Sequence, residues 1–89
     1  MEKIYLVIEH YTFEGQFDDI KVTPYKSKES AIKHFQNQVH REKVDSWIAT
    51  EKNVVEEFND EFYGAYTDGY AMEYSYSTSI YIEESEVLN

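Results

Sequence analysis

YAMEYSYSTSIYIE, residues 70–83, holds no glycine, no proline and no cation, and its reading decides the fold. Its even positions are Met72, Tyr74, Tyr76, Thr78, Ile80 and Ile82, and its odd ones Glu73, Ser75, Ser77, Ser79, Tyr81 and Glu83. Successive side chains of a strand point to opposite faces, so this alternation predicts one long strand in a single register. One face is expected to be half-buried and the other wet. Tyr74 and Tyr76 then belong to the core or its rim, with their hydroxyls reaching the edge. Tyr81, flanked by Glu73 and Glu83, stands on the polar face, where contact explains a ring better than packing does.

The rest of the chain is arranged around that strand. FYGAY at 62–66 precedes it across Asp68-Gly69, a strong short hairpin signal. Residues 3–13 alternate too, with Ile4, Leu6 and Ile8 on one face and Tyr5, Val7, Glu9 and Tyr11 on the other. EGQ at 14–16 is a turn, and Ile20 and Val22 continue a second strand that Pro24 ends or leaves as an edge. Ser27 is a good helix N-cap, with Glu29 suited to the positive end of the helix dipole. Ile32, Phe35 and Val39 follow at helical spacing, beside Ala31. The pattern shifts before Val44, Trp47 and Ile48, which implies a bend near 41–45 or a helix that rotates its buried face. NVVE at 53–56 reads as a second helix start, with Val54, Val55, Phe58 and Phe62 on one side; a strand is the alternative. The expectation is a single α+β domain over 1–89. It is an antiparallel sheet of about four strands, in β-β-α-α-β-β order, with one or two helices packed on one face.

Composition narrows the function classes. Nine tyrosines inflate an apolar fraction of 42%, so the core of this 89-residue chain must be modest and partly aromatic. There is no cysteine, hence no disulfide and no thiolate metal site. The opening MEKIYLVIEH has too short an apolar run for a signal peptide, and nothing approaches the ~20 apolar residues of a membrane span. A cytoplasmic protein is expected. The net charge of −10 lies wholly in the second half: residues 1–44 hold seven acids and seven bases, whereas 45–89 hold eleven acids and only Lys52. Direct binding of nucleic acid or an anionic membrane calls for the opposite sign.

Catalytic and metal signatures are weak. His34 and His40 fall on different faces of a helix, and His10 stands apart in the first strand. An EF-hand register counted from Asn59 fails at Tyr63 and Tyr70, where ligands are needed. The acid pairs Asp18-Asp19, Glu56-Glu57, Asp60-Glu61 and Glu83-Glu84 lie in polar runs with no cleft-forming loop beside them. No enzyme, metal or cofactor is expected.

The acids have more to say as a set. A helix capped by Asn53 would place Glu56, Glu57, Asp60 and Glu61 in two adjacent columns, a costly arrangement of like charges. Together with Asp68, Glu73, Tyr81, Glu83, Glu84 and Glu86 they form the expected partner-binding set. A rigid element bearing such carboxylates can occupy the Lys/Arg channel of a nucleic-acid-handling protein. SKESAIKHF after a hairpin, and FYGAYTDGYAMEYSYSTSIYIEESEV near the end, resemble stretches of small acidic phage and mobile-element proteins. That group includes anti-CRISPR and anti-restriction inhibitors, and the resemblance carries no catalytic motif. It implies a non-enzymatic inhibitor that mimics nucleic acid and docks on a basic protein. The alternative is a small structural or accessory domain that self-associates, as a homodimer for instance, through tyrosine-rich strands, with the charge serving only solubility.

Overall fold

The computed structural model describes residues 2–13, 17–50, 54–67 and 76–87. Strands β1 (Glu2–Phe13) and β2 (Phe17–Tyr25) lead into helix α1 (Lys28–Asp45) and a single 3-10 turn at Trp47–Ala49. Strands β3 (Val54–Phe58), β4 (Phe62–Thr67) and β5 (Tyr76–Val87) complete one antiparallel sheet in the order β2-β1-β5-β4-β3. The class is α+β, as the alternation required. Helix α1 begins and ends at expected places. The Ser27 hydroxyl accepts the Ser30 N–H, and α1 stops at Asp45, where the apolar pattern shifts. Ser46 then caps the 3-10 turn that buries Ile48.

Two expectations need correction. The segment after Asn53 is strand β3, not a second helix, so the described residues hold one α-helix and five strands. Adjacent β-branched Val54 and Val55, followed by Phe58, favour the pleated conformation. Pairing with β4 then satisfies the backbone, with Val54 opposite Thr67 and Phe58 opposite Tyr63. The weak capping signal at 53–56 loses to that ladder. The Asp68-Gly69 turn, the EGQ turn, and Met72 and Tyr74 lie outside the described residues. The strands flanking both turns do pair antiparallel, with Phe13 opposite Phe17 and Tyr66 opposite Ser77.

β1 and β5 form the centre of the sheet, in register from Glu2↔Val87 to Phe13↔Tyr76. Because paired residues share a face, Val7, Ile82, Ile80, Thr78, Tyr63 and Ala65 all point to the helix side. There α1 lays Ala31 and Phe35 on Val7, Tyr63, Ala65 and Ile80, with Ile48 closing the end of the cluster. Val7 and Ile80 are completely buried, and burying such a side chain contributes about 1.5–3 kcal/mol. Ile32 and Val39 are only half-buried, because the helix turns a narrow stripe toward the sheet. Trp47 stacks on Tyr76 at 5.3 Å between centroids and donates its indole N–H to the buried Thr78 hydroxyl.

Candidate functional site

The fold separates the acids that a helix would have gathered. Glu56 points to the helix side, where it accepts the Tyr63 hydroxyl at 3.0 Å and meets Lys43 at 3.8 Å. Glu57, its neighbour in β3, points to the opposite face opposite Gly64. Asp60 and Glu61 lie in the tight β3–β4 turn, where the Asn59 side chain accepts the Glu61 N–H. Glu61 pairs with Lys28 at 3.0 Å, and Glu84 pairs with Lys3 at 3.5 Å. These ion pairs are half-exposed, so solvent screens them and they add little stability. Their Glu61 partner raises the Lys28 ammonium above its ordinary value, through the hydrogen bond first and the charge second. Glu83 lies on the face away from the helix, and Glu86 sits exposed near the far end of β5. Asp68 and Glu73 lie outside the described residues. The expected set is therefore divided among both sheet faces and a turn, and three of its acids are already matched by lysines of the same chain.

Tyr81 falls on the face that α1 does not cover, as the alternation required, and its surroundings are apolar. The row Val22–Ile8–Tyr81–Phe62 crosses four strands on that face. Leu6, Pro24 and Ile20 lie beside it in the neighbouring rows. Tyr66 and Val55 extend the surface toward β3. Ile20 is 61% exposed, Val22 50% and Tyr66 44%. The Phe62 ring lies across Gly64, where an added methyl group would meet its Cζ at 2.9 Å, and it tilts against Tyr81 at 6.4 Å. Glu2, Glu57 and Glu83 are carboxylates whose described side chains reach this face, His10 stands beside Ile20 on it, and no lysine or arginine of the described residues does. This face, which no described element covers, combines an apolar row with three carboxylates and is the candidate functional surface. Among the described residues, no helix is long and apolar enough to cross a membrane, and no three His, Asp or Glu side chains converge as metal ligands.

A polar network runs through the helix side. Glu9 is 2% exposed; its Oε1 accepts the Tyr11 hydroxyl at 2.7 Å, and its Oε2 lies 3.5 Å from His34 Nε2 without a hydrogen bond. The other ring nitrogen of His34 shares a 2.7 Å hydrogen bond with Tyr25. Gln38 Nε2 donates to both Tyr11 and Glu42, tying the helix to β1. Burial, then the bond to Glu9, pushes the Tyr11 phenol well above its ordinary value of 10. Burial, then the bond to Glu56, does the same to Tyr63. Both groups keep their protons in the folded chain at a pH where the unfolded chain loses them. Their stabilisation is thus complete below pH ~10 and declines as the pH rises beyond it. Alkaline titration followed by phenolate absorbance is expected to show a late group of tyrosines that ionise only as the far-ultraviolet circular dichroism collapses. Ionisation of every tyrosine with the fold intact would contradict this.

The sequence did hold a signal for the apolar surface. Ile4, Leu6 and Ile8 alternate with Tyr5 and Val7 in β1, so both faces of that strand ask for cover, while one amphipathic helix can supply only one. The Glu9–His34–Tyr25 contact has no such signal, since it joins three elements at unrelated spacings. Comparison with known protein families, with curated proteins and with solved structures found no match.

Proposed function

We propose that the chain is a non-enzymatic interaction module that works as a homodimer, two copies meeting through the bare faces of their sheets. The observation that carries this reading is the four-strand apolar row Val22–Ile8–Tyr81–Phe62 on the face without a helix. The helix and the sheet already make two packed layers, and the apolar row on the other face is what a third layer would bury. The dimensions favour a second copy. Five strands of 12, 9, 5, 6 and 12 residues, at ~3.3 Å per residue and ~4.8 Å spacing, give a face of about 700 Å². That approaches the ~800 Å² per partner of a standard stable interface. Aligned sheets pack ~10 Å apart with interdigitating side chains, and the small Ser77 and Ser79 of β5 leave room for bulky residues of the facing sheet.

The acidic-inhibitor reading requires a basic partner for carboxylates such as Glu2, Glu57 and Glu83 on this face, whereas the apolar row favours burial against a second copy. Salt separates the two, because ion pairs across an interface are screened while apolar burial is not. Light scattering coupled to size exclusion is expected to give twice the 10.6 kDa of one chain, unchanged between low and high salt. Val22→Lys with Tyr81→Lys is expected to give a folded monomer. A wild-type monomer that pairs with a basic protein only at low salt would instead establish the inhibitor reading.

A further inference from the structure

On the helix side, away from the bare face, a groove of about 420 Å³ runs between α1 and the edge strand β2. Tyr25, Ser30, Lys33, His34, Asn37 and Arg41 line it, with Gln38 completing the wall. No carboxylate does, in a chain with eighteen acids and eight lysines and arginines. The volume lies within the roughly 300–1,000 Å³ of small-molecule sites.

The lining has an order that comes from the helix. Ser30, His34 and Gln38 succeed one another at four-residue steps and form one ridge; Lys33, Asn37 and Arg41 form the next. Lys33 and Arg41 stand two turns apart, about 12 Å along the axis. Among the described residues neither has an ion pair, whereas Lys3, Lys28 and Lys43 all do. The wall is set before any ligand arrives. His34 is hydrogen-bonded through Nδ1 to Tyr25, with its Nε2 3.5 Å from the buried Glu9 carboxylate, and Gln38 is fixed by Tyr11 and Glu42. Wall residues held by a second layer of contacts, here His34 and Gln38, lose little entropy on binding, while the exposed Lys33 and Arg41 are ordered by the ligand itself.

We infer that this groove binds a phosphorylated small molecule of nucleotide size. Arg41 supplies a bidentate fork for phosphate oxygens and Lys33 a compact charge at the other end. The Asn37 amide and Ser30 hydroxyl offer neutral donors between them, and the half-buried Tyr25 ring offers a flat surface to a base. The long side chains of Lys33 and Arg41 can converge on one diphosphate from backbone positions about 12 Å apart, leaving the nucleoside to Tyr25; a lone carboxylate would engage one of them.

The test is a two-dimensional amide NMR titration of the full-length chain with ADP, inorganic pyrophosphate and adenosine, at constant ionic strength. ADP is expected to shift resonances of residues 25–41 saturably, pyrophosphate to shift those near Arg41, and adenosine to bind at least about tenfold more weakly than ADP. Lys33→Glu with Arg41→Glu alters two exposed side chains and should preserve the fold while raising the ADP Kd about tenfold or more. Shifts reproduced by added sodium chloride, adenosine binding as tightly as ADP, or an unchanged Kd in the double variant would each overturn the assignment. The same titration on the Val22→Lys, Tyr81→Lys chain is expected to give the wild-type result, so failure of the dimer leaves the groove standing.

Discussion

Phe35→Ala is expected to lower the free energy of unfolding by roughly 3–5 kcal/mol, read as a fall in the midpoint of a urea transition. A domain of this size has about 5–15 kcal/mol in all, so this single ring holds a large part of it. The reason lies in the layers. Phe35 is 5% exposed and is the bulkiest side chain that α1 buries in the sheet, beside Ala31. The cavity left beneath the helix would be bounded by Val7, Tyr63 and Ile80, which sit on strands held in register by their ladders and cannot collapse inward. With the opposite face bare, a loosened helix leaves the sheet without full cover on either side. The variant is therefore also expected to aggregate on warming. Phe35→Leu, which keeps most of the volume, is expected to cost less than about 1.5 kcal/mol. Equal costs for the two variants would show that the helix is not docked through this ring.

Glu9→Ala is expected to cost about 2–4 kcal/mol, more than a surface acid could. The carboxylate is buried, and removing it leaves the Tyr11 hydroxyl without its acceptor and His34 without its neighbour, in a place that water does not reach freely. Glu9→Gln retains an acceptor for Tyr11 and is expected to lose about half as much. The coupling is measurable. In a double-mutant cycle, Tyr11→Phe should cost less in the Glu9→Ala background than in wild type, by about 1 kcal/mol. Strict additivity would mean that the 2.7 Å contact contributes nothing to folding.

Both variants touch features of different legibility in the sequence. Phe35 could be placed in the core from helical spacing alone, and Ser27 could be named as the cap, because both signals are local. The faces of β5 were equally readable, since a period of two assigns Ile80 inward and Tyr81 outward without knowledge of any partner strand. Glu9 was not readable as buried: an acid in an alternating strand looks like the wet side, and only the arrival of His34 and Tyr11 makes its burial tolerable. Residues 53–62 failed for a related reason. Their helix and strand patterns were nearly balanced, and the ladder with β4, a non-local contact, decided between them. The acidic set fell apart with that helix. What replaced it as a candidate surface rested on counting cover, with two apolar faces on β1 and one helix to hide them.

The pairing of β1 with β5 sets the order of events during synthesis. β1, which emerges from the ribosome before the other described strands, needs on one of its edges the last of them, with Glu2 opposite Val87. β1 can close its hairpin with β2 and receive α1 early, but its other edge stays open until residues 76–87 have emerged. Non-local pairings of this kind make folding slow, and an unpaired apolar edge is a template for other chains. At ~5–20 residues per second the exposed edge persists for several seconds on every nascent chain. Those seconds, more than any property of the finished fold, are when this protein is most open to misassembly with another copy of itself.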